Sequence, residues 1–94
     1  MKNVFSAGDL VLSRSGRDKG RIFLVIGTEN DRVIVADGKT RKIGSFKKKN
    51  GKHLELLLPQ ADVSLAERIG KGVPTSNERL KKRIRELSQK IEED

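Results

Sequence analysis

The chain has 94 residues, no cysteine and a formal net charge of +8. That length allows one small domain with a thin core, and the lack of cysteine excludes disulfides and thiolate metal sites. Hydrophobic residues at 34% against charged residues at 36% put the chain near the polar limit for folding, which leaves room for an unpacked part.

Met1 to Ala7 reads as a lead-in, with Phe5 placed to close one end of a core. It has no separate apolar segment, so it does not fit a signal peptide. No apolar run approaches the length of a bilayer span. The expectation is a cytoplasmic protein with no membrane partner.

The stretch from Gly8 to Gly27 organises the rest of the chain. Leu10 and Leu12 alternate with Val11 and Ser13; Ile22, Leu24 and Ile26 alternate with Phe23 and Val25. Such period-two runs predict antiparallel strands over residues 9–14 and 21–28. The loop between them, Ser15-Gly16-Arg17-Asp18-Lys19-Gly20, has glycines suited to positive φ. Glu29-Asn30-Asp31 is a turn signal, and Arg32–Ala36 predicts a third strand. Asp37-Gly38 predicts another reversal, with a short fourth strand over Lys39–Ile43. Asn50-Gly51 marks a further turn before a closing strand, His53–Leu58. Five short strands within residues 4–58 suit a small, mainly β barrel, which also disposes of exposed sheet edges.

Pro59 ends the last strand. Residues 59–75 read as a linker holding a short helix over Asp62–Ile69, capped by Asp62 or Ser64 and stopped by Gly70 and Gly72. Thr75-Ser76-Asn77-Glu78 fits a capping box built on the Thr75 hydroxyl and the Glu78 carboxylate. It opens a C-terminal helix over residues 76–92. Leu80, Ile84, Leu87 and Ile91 form one narrow apolar stripe on it. The stripe has three uses open to it: packing on the barrel, pairing with another helix, or leaving a basic face to grip RNA. Packing comes first, because an isolated helix of this length is marginal in water.

The charge is unevenly placed. Residues 1–58 carry +7 and residues 59–94 carry +1, so the excess lies on the β part. A positive field concentrated on one small domain favours a polyanionic partner. Lys39–Lys52, KTRKIGSFKKKNGK, holds seven basic residues and no acidic one. Lysine and arginine there would neutralise phosphates and release counterions, giving affinity that salt removes. Phe46 inside this run reads as a core residue rather than a platform for a base, since only three phenylalanines serve the core. Arg14, Arg17, Lys19 and Arg21 flank or sit on the first loop, where arginine can fork onto a phosphate. Asp18 reads as a structural residue that holds the loop by accepting its backbone amides, ahead of the alternative that it orients Arg17.

With no Trp and no Tyr, the chain lacks the aromatic platform used to read single-stranded bases, which favours recognition of backbone and shape. The same lack argues against a proline-peptide groove and a methyl-lysine cage. His53 is the only histidine, so no ordinary His/Cys metal site can be assembled. Gly38-Lys39-Thr40 has Val33 where a phosphate loop needs glycine. Paired carboxylates, a nucleophile elbow and a dinucleotide fingerprint are missing too, so neither an enzyme nor a cofactor is expected.

Gly8-Asp9, the strand after it, Gly16-Arg17-Asp18-Lys19-Gly20-Arg21 and the second strand to Ile34 resemble the KOW motif. That motif is the RNA-associated signature of several ribosomal proteins and transcription elongation factors. Arg21 stands where many of its members carry lysine. A weaker likeness continues through Asp37-Gly38, the basic run to Lys49, and Lys52-His53-Leu54-Glu55. That layout is similar to one eukaryotic and archaeal group of large-subunit ribosomal proteins, and the two stretches cover about half of the chain. The resemblance implies an SH3-like five-stranded barrel over residues 4–58, with the helical extension after it. It also implies binding of structured RNA, above all ribosomal RNA, beside other ribosomal proteins. Gly8, Asp9, Gly16, Asp18 and Gly20 would shape the motif. Arg14, Arg17, Lys19 and Arg21 would form one binding edge, and Arg41, Lys42, Lys47, Lys48, Lys49 and Lys52 the other, with His53 beside Lys52 allowed as a further contact. A monomer is expected. The alternative is a transcription or translation adaptor that binds a protein through the barrel or the C-terminal helix, for which the Leu80–Ile91 stripe would have to be exposed.

Overall fold

The computed structural model describes residues 4–93, so the first three residues of the expected lead-in lie outside it. Five strands, β1 (Leu10–Ser13), β2 (Ile22–Glu29), β3 (Arg32–Ala36), β4 (Lys47–Asn50) and β5 (Leu54–Leu58), form one antiparallel sheet in the order β4-β3-β2-β1-β5. After the sheet come two helices, α1 (Val63–Gly70) and α2 (Asn77–Glu93). The expected mainly β chain is therefore a sheet with a substantial helical layer. Among the described residues no helix is long and apolar enough to cross a membrane.

The sheet is not closed by pairing, because β4 and β5 are its two edges. Yet β4 and β5 are consecutive, joined only by the three-residue 3-10 turn Gly51–His53. A flat five-stranded sheet would hold its edges about 19 Å apart, whereas three 3-10 residues advance the chain about 6 Å. The sheet therefore coils until its edges lie near each other at that end. Irregular register between Leu10 and Val11 and between Val25 and Gly27 helps it bend.

Coiling gives the sheet two cores. Alternate residues of β1, β2 and β3 point inward: Val11, Phe23, Val25, Val33 and Val35 are buried together, with Phe5 packed against them. The residues between them, Leu10, Leu24, Ile26 and Ala36, face the other way. Leu65 and Ile69 of α1 and Leu80, Ile84 and Leu87 of α2 cover that outer face. Each such side chain taken fully from water contributes about 1.5–3 kcal/mol. Leu80, Ile84 and Leu87 of the C-terminal stripe are thus buried on the sheet, with Ile91 partly buried against them.

Three local predictions change. The fourth strand is Lys47–Asn50 rather than Lys39–Ile43. It is a strand because its backbone pairs with β3, Lys49 opposite Val33 and Lys47 opposite Val35; tertiary pairing overrides the poor strand propensity of lysine. Residues 37–46 form instead a loop held by Asp37. Its carboxylate accepts from the amides of Lys39 at 2.9 Å and Arg41 at 2.8 Å and from the Thr40 hydroxyl at 2.7 Å. Finally, α2 is capped by Ser76, whose hydroxyl accepts from the Arg79 amide at 3.1 Å, while the Thr75 hydroxyl donates to the Val73 carbonyl. The helix therefore begins one residue later than a Thr75 cap requires.

Two carboxylates tie together segments distant in sequence. Asp9 accepts from the Ser6 amide at 2.9 Å and the Gln60 amide at 2.8 Å. Asp62 caps α1 through the Leu65 amide and takes Nε of Arg83 on α2 at 2.7 Å. That hydrogen bond raises the Arg83 guanidinium pKa above its usual value.

Candidate nucleic-acid interface

The first loop and the basic run meet through one carboxylate. Asp18, buried in the tip of the loop, takes the ammonium of Lys49 at 3.1 Å. The same ammonium donates to the Ser15 carbonyl at 3.3 Å, and Arg41 Nη2 lies 3.9 Å from the other oxygen of Asp18. Asp18 thus pairs with a lysine from β4 rather than with the loop's own amides. Loop and strand are clamped edge to edge.

This clamp removes Lys49 from the set of binding residues, for its side chain is only 7% exposed and its charge is satisfied by Asp18. Inside a coiled sheet the alternation of β4 turns Lys49 inward while Lys48 turns out. The predicted edges are otherwise on the surface in large part. Arg17, Lys19, Arg21, Lys42 and Lys52 are exposed, and none forms a salt bridge among the described residues. Lys47 and His53 are half-buried. Arg14 is paired with Glu55 of β5, and Lys48 with Glu29 at 3.2 Å, both on the surface, where such pairs contribute little and exchange readily. Phe46 is 37% exposed and is not in either core, contrary to its expected place.

The glycines of the first loop do have positive φ, +80° at Gly16 and +90° at Gly20. The Gly20 amide bonds the Ser13 carbonyl at 2.9 Å, closing the loop on the strand that precedes it. Arg17 and Lys19 are thereby presented on either side of the buried Asp18.

The loop held by Asp37 docks on the start of α2. The Ile43 amide donates to Asn77 Oδ1 at 2.8 Å, and Gly38 packs against the Asn77 carbonyl. This docking opens a cleft of about 550 Å³ between the first loop, the Asp37 loop and α2. Its walls carry Arg21, Lys39, Lys81 and Arg85. Three of these, Lys39, Lys81 and Arg85, are absent from the predicted edges. The sequence signal for the two on α2 is the basic face of the C-terminal helix, but which loop that face meets depends on tertiary docking.

Burial pushes the Asp37 carboxyl up, but the hydrogen bonds from Arg41, Thr40 and Lys39 outweigh it and hold the group below its ordinary value of 3.8. A carboxylate depressed on folding stabilises fully above the unfolded pKa and loses that contribution as pH falls through the folded one. The Lys39 and Arg41 amide resonances should therefore shift together on acidification, with a midpoint below 3.8. A midpoint at or above that value would contradict the arrangement.

A scan of protein-family models found no match to the chain, and a search of curated proteins found none similar to it.

Proposed function

We propose that this chain is a non-catalytic RNA-binding protein of KOW type, an SH3-like barrel left unpaired between β4 and β5, which holds structured ribosomal RNA in the cytoplasm. The observation that carries this reading is the clamp of Asp18 to Lys49, which seats two basic segments side by side while Arg17, Lys19, Arg21, Lys42 and Lys52 stay exposed and, among the described residues, outside any salt bridge. Those five form the working rim, with Arg14, Arg41, Lys47 and Lys48 around it. Phe46, partly exposed beside this rim, is available for a base to stack on. Cations of this kind neutralise phosphates without reading sequence, so RNA geometry supplies the selectivity. The adaptor alternative is less favoured through the C-terminal helix, since Leu80, Ile84 and Leu87 of its stripe lie against the sheet.

The test is fluorescence anisotropy with folded fragments of large-subunit ribosomal RNA over a range of salt. Replacing Arg17 and Lys19 by alanine should weaken binding and flatten the log–log salt slope by about one for each cation removed. An unchanged slope would refute the role of the loop. Lys49 is unsuited to this purpose, because its loss would undo the clamp.

A further inference from the structure

The cleft beside α2 is chemically distinct from the open rim. It is lined by Gly20, Arg21 and Ile22 on one side, by Asp37 and Lys39, and by Lys81, Ile84, Arg85 and Ser88 of the helix. Its one carboxylate is already engaged by its own loop. The Asp37 oxygens hold Lys39, Thr40 and Arg41 of their own loop, and the Ser88 hydroxyl donates to the Ile84 carbonyl at 2.7 Å. Its donors are not. Arg21, Lys39 and Arg85 form no salt bridge among the described residues, and Lys81 has only Glu78, itself 82% exposed. Four cations, Arg21, Lys39, Lys81 and Arg85, against the single carboxylate of Asp37 leave a positive surplus that suits an anionic ligand accepting hydrogen bonds, such as a phosphodiester.

The rest of the lining agrees. Ile22 and Ile84 give an aliphatic surface that strengthens the field of the surrounding cations and can lie against a sugar ring. Gly20 leaves open space where a side chain would begin, so a backbone can come close. Arg21 belongs to both the cleft and the first loop, which makes the cleft continuous with the rim at Arg17 and Lys19.

We infer that this cleft receives the phosphodiester backbone of the bound RNA, with Lys81 and Arg85 of α2 as its far wall. The inference rests on the RNA-binding reading and extends it: the helix is part of the interface as well as the cover of the outer core. RNA crossing the first loop would continue into the cleft rather than end at the sheet.

The test compares the wild type with two double variants, Lys81→Ala/Arg85→Ala and Arg17→Ala/Lys19→Ala, on the same labelled large-subunit ribosomal RNA fragments. Alanine is a strong helix former, so the α2 variant should melt like the wild type. It should bind about ten-fold more weakly at moderate salt, with a salt slope lower by about two. If the first-loop variant loses affinity and the α2 variant keeps both affinity and slope, the cleft inference is overturned while the RNA reading stands. Failure of the wild type to bind RNA would overturn both. Inorganic phosphate and ATP, titrated while the Arg21 and Arg85 side-chain resonances are followed, separate the remaining case. Saturation by either, with RNA affinity unaffected in the α2 variant, would mark a small-anion site and overturn the inference.

Discussion

Gly8→Ala is expected to destabilise the fold by about 3–4 kcal/mol, combining left-handed backbone strain with overpacking. Gly8 has a φ of +99°, and a Cβ there would lie 2.7 Å from the Cα and 2.8 Å from the amide nitrogen of Val63, at the start of α1. Neither atom can move aside without shifting the helix. The contact is fixed from both directions, since the Gly8 amide donates to the Val25 carbonyl at 2.8 Å and its own carbonyl accepts from the Asp62 amide at 3.0 Å. A small domain has only about 5–15 kcal/mol in total to lose. Urea denaturation of Gly8→Ala beside Gly16→Ala isolates the clash, because a Cβ at Gly16 meets nothing within 4 Å and bears only the backbone strain. Equal losses in the two variants would mean that the α1 contact yields.

Asp18→Asn should cost about 3–5 kcal/mol, the usual consequence of leaving one member of a buried ion pair without its counter-charge. The ammonium of Lys49 has little access to water, and its other partner is a single carbonyl, that of Ser15. The double variant Asp18→Asn/Lys49→Met removes the stranded charge and should recover much of that loss, because a neutral replacement of such a pair is often tolerated. If the single variant is as stable as the wild type, the loop and β4 are not clamped by this pair. If the double variant is less stable than the single one by a further several kcal/mol, the Lys49 ammonium stabilises through its bond to the Ser15 carbonyl rather than through Asp18, because methionine keeps an apolar stem.

What can be read from the sequence divides along physical lines. The strands over Leu10–Ser13, Ile22–Glu29, Arg32–Ala36 and Leu54–Leu58 come from alternation and turn residues, which are local signals. Both helices come from apolar spacing and breakers. The fourth strand is not legible in this way, because KKKN has no strand-forming residue and owes its conformation to the β3 backbone beside it. Asp37-Gly38 has the composition of a tight hairpin turn, but the Asp37 carboxylate gathers a wider loop around itself. At the interface the same division holds. Net charge locates the basic segments, yet only three-dimensional pairing distinguishes Lys49, which is structural, from Lys52, which is not. Phe46 leaves its expected place for a related reason: the inner core is filled by Phe23 and four valines of the sheet, with Leu54 and Phe5, and needs no further ring.

The strand of three lysines has a consequence for self-association. An edge strand is a template on which a second chain can add, and β4 is such an edge. A copy docking there in register would bring lysines of the two chains within about 4.8 Å of each other along the shared hydrogen-bonding direction. Lys48, already on the surface, would face its own kind, and the inward turn of Lys49 would leave little apolar area to compensate. Charges that suit a polyanion therefore also keep one copy of this chain from growing onto the next.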